Sequence, residues 1–390
     1  METKLSNYIV QLNAFFLFSG YYVGLIAILA FFGGEMSRFY SIPLRLLLVI
    51  SLLFGIRLNN SKLNLSELII IGFTFLYILK IFISEAFNAN LSKAWYEYVF
   101  YYLAFCLFPY LFFGGLKHIN IRKHFFHIVM FSGILMCVAT IFLYREFIFS
   151  GVGRLTNSTV DNLSTVSPLS LAYGAALNLS LIFCYISDLK WKNINFKVYI
   201  LINLILSLFI FFIGSTRGAL LALALSLLYL LITRKGISKV KYLISGVFLA
   251  PVLVYLFNLS GSNLLERTQS SIDKGDNSGR DSLWNDAWIE FLNSPFFGGD
   301  IEVSGIYPHN LFLEILMATG FLGLFIFLIS ISITLINFSK IQSVNKHMIF
   351  VLFINSFCQH MFSGALWSAI LVFVSLGLMN YNVKQKYEIK

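Results

Sequence analysis

Residues 198–233 read VYILINLILSLFIFFIGSTRGALLALALSLLYLLIT. Two apolar runs flank the tetrapeptide Gly214-Ser215-Thr216-Arg217. At ~1.5 Å per helical residue, each approaches the ~30 Å depth of a bilayer's hydrocarbon core. The stretch therefore reads as two transmembrane helices, 197–213 and 217–233, joined by a tight turn. Arg217 falls at the start of the second helix, on the outer boundary. A helix start is the positive end of its dipole. Lys and Arg are also scarce on the non-cytoplasmic side of membrane proteins. A cation held against both costs implies an anionic partner.

The same pattern recurs along the 390 residues, of which 58% are apolar and 12% charged, with a mean hydropathy of +0.81. A soluble all-α protein needs far more charged surface than that. Further spans are expected near residues 12–33, 39–55, 67–85, 97–114, 124–143, 166–187, 240–258, 309–337, 346–362 and 363–380. The fold class is thus an all-α polytopic membrane protein with about 12 transmembrane helices. The net charge of +10 records topology rather than nucleic-acid binding. With the N-terminus inside, 18 of the 28 Lys and Arg residues lie in cytoplasmic segments, 8 in outer segments and two, Arg45 and Lys80, within spans. That bias makes both termini cytoplasmic and implies contact with anionic membrane lipid. The organisation is 1–143, helices 1–5; 144–165, a periplasmic loop; 166–258, helices 6–9; 259–308, a large periplasmic loop; and 309–390, helices 10–12 with a cytoplasmic tail. Cys106, Cys137, Cys184 and Cys358 all fall inside spans and read as small buried residues. The first apolar run reads as a retained span, not a cleavable signal peptide.

The 259–308 loop carries three cations and eight anions. From Asp281 to Asn293, the residues Leu283, Trp284, Ala287, Trp288, Phe291 and Leu292 recur at helical spacing. Asp281 or Ser282 is placed to cap that helix, and Ser294-Pro295 ends it. Trp284 and Trp288, one turn apart, suit a helix lying on the membrane interface.

Three residues on the outer side carry candidate chemistry. Arg217, with the Ser215 and Thr216 hydroxyls and the N–H groups of a helix start, makes a phosphate site; the plain alternative is an interfacial Arg snorkelling to headgroups. Arg280 also opens a helix, or else pairs with Asp276 or Asp281 at the surface. His309 follows Pro308 and opens the tenth span. A helix start disfavours imidazolium, and a neutral imidazole accepts a proton from a hydroxyl; the alternative is a capping or headgroup-facing histidine. Glu314, five residues on, points about 140° around the helix and is no orienting partner. Arg154, in the shorter outer loop, completes a set drawn from four distant parts of the chain. Asp300-Ile301-Glu302 reads as a solvated turn, with a divalent-cation site as the other reading. Arg45 and Lys80 read as snorkelling residues. No phosphate-binding glycine loop and no zinc motif occurs, so no metal and no cofactor is expected.

Four stretches in order carry a resemblance. They are Gly153-Arg154-Leu155; Ser215-Thr216-Arg217-Gly218-Ala219; Gly279-Arg280 with Trp284, Ala287 and Ser294-Pro295; and Pro308-His309-Asn310 followed by Gly320-Phe321-Leu322-Gly323. Together they resemble the O-antigen polymerase and O-antigen ligase superfamily of bacterial envelope enzymes, over residues 150–330. Leu324 departs from the ligase form of the last motif, which usually continues with Gly, Thr or Tyr. The resemblance implies a GT-C-like membrane glycosyltransferase at the periplasmic face of the inner membrane. Its donor is a glycan on undecaprenyl pyrophosphate, and its acceptor a sugar hydroxyl. By the same resemblance Arg217 and Arg280 grip the pyrophosphate, and His309 is the general base. Arg154, Ser215, Thr216, Asn310 and Tyr307 are further substrate contacts, and a chain-length regulator protein is a partner. The first reading is a polymerase extending a lipid-linked chain. The second is a ligase transferring finished polymer to the lipid A core. A lipid-linked oligosaccharide flippase is a third reading, against which stand the lack of a visible repeat and the gathering of polar groups at the outer boundary.

Overall fold

The computed structural model describes residues 2–33, 36–87, 89–117, 119–149, 167–188, 194–214, 216–233, 255, 269, 280–343 and 345–388. Among these, helices dominate and the one β-type pairing is an isolated bridge between Val303 and Ile306. The main helices are α1 (Glu2–Phe16), α2 (Gly20–Phe32), α3 (Ser37–Asn59), α4 (Leu65–Ala86), α5 (Trp95–Gly114) and α6 (Arg122–Leu143). They continue with α7 (Pro168–Asp188), α8 (Ile194–Gly214), α9 (Arg217–Thr233), α10 (Arg280–Asn293), α11 (Leu311–Ser339), α12 (Lys346–Phe362) and α13 (Ile370–Glu388). Seven of these are long and apolar enough to cross a membrane, and α1 with α2 makes a further candidate span bent by 58°. The chain is a polytopic membrane protein. The expected span at 240–258 and the loop 150–166 lie outside the described residues.

Several helices bury one stripe and expose the other, whereas α7 is buried on nearly every side. On α9 the buried residues are Ala219, Ala222, Leu223, Ser226 and Leu230, at helical spacing. Leu221, Leu225, Leu228 and Ile232 on the same helix are exposed. Lipid supplies no hydrophobic force between helices, so close packing and polar contacts hold them. Asn178 of α7 donates to Asn203 of α8 at 2.8 Å, and Asn355 of α12 donates to Ser226 of α9 at 2.8 Å. At one end of the bundle Glu67 closes a capping box with Asn64 and accepts Lys384 of α13 on both oxygens at 2.8 Å.

Three expected spans are not continuous helices. The first is split by a turn at residues 17–19, between α1 and α2. The last begins later than its apolar run. Ser363 is extended (φ −167°), Gly364 has φ +114°, and residues 366–368 form a 3-10 turn before α13 starts at Ile370. The third is α11, broken at Gly320 (φ 63°, ψ −164°).

At that break the helix borrows its hydrogen bonds from the loop after α10. The Phe321 N–H donates to the Pro295 carbonyl (2.8 Å), and the Leu322 N–H to the Phe296 carbonyl (3.2 Å). The Met317 carbonyl, which Phe321 would otherwise use, accepts the Gly299 N–H at 2.8 Å. Irregular backbone at membrane depth survives only when protein satisfies it, and here the loop supplies three of the bonds. Lys80, which the sequence reads as snorkelling, is instead buried and donates to the Gly298 carbonyl at 2.8 Å. Below the break, residues 321–339 rise about 28 Å, close to one hydrocarbon thickness. Above it, 311–319 is a short helix packed within the protein.

Gly320→Ala should be strongly destabilising. Its φ is in the left-handed region, and the new Cβ would lie 2.5 Å from backbone atoms of Phe296. The left-handed backbone alone costs about 1–3 kcal/mol, and the clash adds to it. Gly72→Ala, whose Cβ would meet nothing within 4 Å, should be neutral or stabilising by up to about 1 kcal/mol. Thermal unfolding of the two purified variants in one detergent measures the difference. Equal transitions would contradict the inserted-loop geometry.

Candidate functional site

Arg217 is the first residue of α9, and the buried Thr216 carbonyl accepts the Leu220 N–H ahead of it. The Thr216 hydroxyl is buried and has no hydrogen-bond partner among the described residues. Gly218 follows because a side chain there would collide with the Tyr173 hydroxyl of α7. The glycine thus lets α7 and α9 approach beside Arg217.

Arg280 opens α10, one residue ahead of the expected cap. The helix packs on α11 through buried Ala287 and Phe291, whose ring meets Phe321 edge-on at 5.0 Å. The expected interfacial tryptophans divide their roles. Trp288 is exposed, while Trp284 turns inward and donates its indole N–H to the Pro308 carbonyl at 2.9 Å.

That bond fixes the residue next to His309. The helix proper starts at Leu311, with Asn310 as N-cap accepting the Leu313 N–H at 3.1 Å. His309 therefore stands just outside the helix, in the left-handed region at φ 56°. Its ring packs on Tyr307 with centroids 4.3 Å apart. Its Nδ1 is buried without a hydrogen-bond partner among the described residues. Burial, and then the nearby Arg280 charge, push its pKa below the ordinary histidine value of 6.5. The sequence expectation of a neutral imidazole attributes it to the helix dipole, whereas burial and Arg280 are the causes here.

Arg280 is itself shifted downward by burial and by the Arg217 charge, opposed by Tyr173. It is thus the common neighbour that ties Arg217, Tyr173 and His309 into one cluster. Tyr307 is pushed up to about 12 by burial, with Glu314 and Glu302 adding to the effect. Arg154 and Ser215 lie outside the described residues.

Other sequence readings are altered. Glu302 is not a solvated turn residue. It is buried and accepts the Ser92 N–H (2.8 Å) and hydroxyl (3.1 Å). Glu314 is buried and accepts the Leu366 N–H at 2.8 Å, away from His309. Asn310 has its side-chain oxygen committed to the helix cap. Among the described residues no group of three or more His, Cys, Asp and Glu side chains is arranged to hold a metal ion.

His309, Tyr307 and Tyr173 line a cavity of about 540 Å³, together with Arg45, Lys93 and Trp367. Arg217 and Arg280 are not among its described lining residues; Arg280 acts electrostatically on Tyr173 and His309, which are. Sequence reasoning misses Tyr173, Lys93 and Trp367. Arg45, read as snorkelling, is half-buried and donates to the Tyr101 hydroxyl.

These features define a multi-pass membrane protein with two arginines and a neutral histidine gathered at one end of its bundle. Residues 202–328, which hold all three, match the family model described as O-antigen ligase. Over that stretch, which is less than half of the chain, the sequence is similar to this family. No curated protein matches the chain.

The electrostatics predict that His309 titrates below 6.5 and that Arg280→Ala moves it upward, because a neighbouring positive charge is removed. The rate of diethyl pyrocarbonate modification at His309, followed against pH by peptide mass spectrometry, reads both. An unchanged profile in the variant would separate the two residues.

Proposed function

We propose that the chain is an O-antigen polymerase of the bacterial inner membrane. It transfers a glycan from undecaprenyl pyrophosphate to the sugar hydroxyl of a new lipid-linked repeat unit at the periplasmic face. The observation that supports a lipid-pyrophosphate donor is the electrostatic coupling of Arg280 to both Arg217 and His309. Two guanidinium groups in proximity repel each other, and a pyrophosphate between them relieves that repulsion.

In the reaction the acceptor hydroxyl attacks the donor's anomeric carbon. The bond from that carbon to the pyrophosphate oxygen breaks, and the lipid pyrophosphate leaves with the electron pair. The hydroxyl proton passes to His309, which is neutral because its pKa is lowered. Arg217 and Arg280 stabilise the charge that develops on the leaving group, where preorganised donors contribute most. The Thr216 hydroxyl, without a partner among the described residues, adds a donor for a phosphate oxygen. Two cations already supply the charge neutralisation, so the transfer runs without a metal.

A ligase acting on the lipid A core shares this donor site and differs in its acceptor. The description of the matched family model keeps it as the second reading. Lipopolysaccharide from a strain lacking the chain separates the two on a gel. Core bearing a single repeat means polymerase, and bare core with accumulated lipid-linked polymer means ligase. An unaltered ladder overturns both for this polymer.

His309→Ala should abolish transfer in that strain while the protein still inserts; normal ladders would remove its role as base. With purified protein, Arg217→Ala should lower the rate by ~10²–10³. Arg217→Lys should restore it only in part, because an ammonium does not reproduce the bidentate guanidinium fork. The acid limb of the wild-type pH–rate profile should lie below 6.5. EDTA should leave the rate unchanged, and a loss reversed by Mg²⁺ would put a metal in the donor site.

A further inference from the structure

The cavity beside His309 has a second cationic wall that the donor site does not use. Arg45 of α3 donates to the Tyr101 hydroxyl at 3.0 Å, and its guanidinium carbon lies 5.1 Å from that ring's centroid. Lys93 lies with Nζ 5.2 Å from the centroid of the Trp367 ring. Lys93 is held there by its neighbours. Ser92 is clamped by buried Glu302, and the Lys93 N–H donates to the Tyr98 hydroxyl at 3.2 Å. Trp367 is presented by the 3-10 turn before α13 and stacks at 5.5 Å on Tyr101.

Three nitrogen atoms on residues of this cavity are buried without a hydrogen-bond partner among the described residues. They are Arg45 Nε, Trp367 Nε1 and His309 Nδ1. The first two are obligate donors. Buried donors normally find acceptors, and each exception calls for an explanation. Among the described residues no Asp or Glu lines the cavity, so none supplies a carboxylate acceptor there. Its volume of about 540 Å³ lies within the usual size of a small-molecule site. Its aromatic wall offers flat apolar faces, and its donors want oxygen.

We propose that this wall is the acceptor subsite, and that it takes a sugar ring against Trp367 with an oxyanion on that ring or beside it held by Arg45 and Lys93. The subsite rests on the glycosyltransferase reading above and deepens it. It names the acceptor as an anionic saccharide and places its hydroxyl toward His309, which lines the same cavity. The oxyanion is a sugar carboxylate or a phosphate of the lipid carrier, and the two are told apart by the ligand that binds.

The test is direct binding to purified full-length protein in nanodiscs, by calorimetry. The probes are a uronic-acid-terminated oligosaccharide, its analogue with the carboxylate reduced to an alcohol, and inorganic pyrophosphate. The uronate should bind more tightly than its reduced analogue. Arg45→Gln and Lys93→Gln should each weaken it about ten- to hundredfold, the effect of losing one charge-assisted hydrogen bond. Trp367→Leu should weaken both sugars alike. Arg217→Ala should leave uronate binding unchanged. If pyrophosphate, rather than uronate, loses affinity in Arg45→Gln, the oxyanion site stands and its occupant is the carrier phosphate. If neither anion responds to Arg45→Gln or Lys93→Gln in variants that keep the wild-type elution profile, the subsite is overturned. Failure of the donor reading appears elsewhere, as full transfer by His309→Ala and Arg217→Ala.

Discussion

Met317 and Phe321 are four residues apart in one helix, yet neither bonds the other. The Met317 carbonyl takes the Gly299 N–H, and the Phe321 N–H gives to Pro295. The apolar surroundings of a membrane helix leave little choice, since an unpaired backbone group in hydrocarbon costs several kcal/mol. A helix is broken at Gly320 only because the loop brings its own backbone to the gap. Most of the site follows from that exchange. It seats α10 against α11, which turns Trp284 toward Pro308 and sets the residues before Leu311.

The electrostatics of the cluster share one logic. The Arg217 charge acts on Arg280, and the Arg280 charge disfavours the charged form of His309. Like charges brought together at the end of a bundle are a cost to folding. They are tolerated because α10 and α11 are fixed by contacts elsewhere, such as Phe291 on Phe321. The same holds on the far wall, where Lys93 is placed by Glu302 through Ser92 instead of by an ion pair.

Hydropathy is a local property, and the sequence is most legible where structure is local. The helices at 217–233 and 346–362 begin and end where their apolar runs do. Arg217, Arg280 and His309 could be singled out because each is a polar residue at the edge of an apolar or periodic segment. The break at Gly320 was not legible, because its partners lie in residues 295–299, which carry no mark of that pairing. Arg45 and Lys80 were read as snorkelling since a single span shows which residues are charged, not which helix lies beside them. Trp367 sits in a run apolar enough to be taken as helix. The extended Ser363 and the positive φ of Gly364 answer to packing against His360, a constraint that no periodicity expresses.

The stretch from Gly299 to Pro308 is pinned at both ends, one by the Met317 carbonyl and the other by the Trp284 indole. Such a segment behaves as a fixed-length tether, unlike a surface loop that absorbs insertions freely. Both its length and the side chains of Glu302 and Tyr307 are therefore constrained. One residue added or removed would leave both anchors in place and move His309 along the chain, away from its position beside Tyr307. The spacing between the Ser294-Pro295 turn and His309 is therefore a structural dimension of the site.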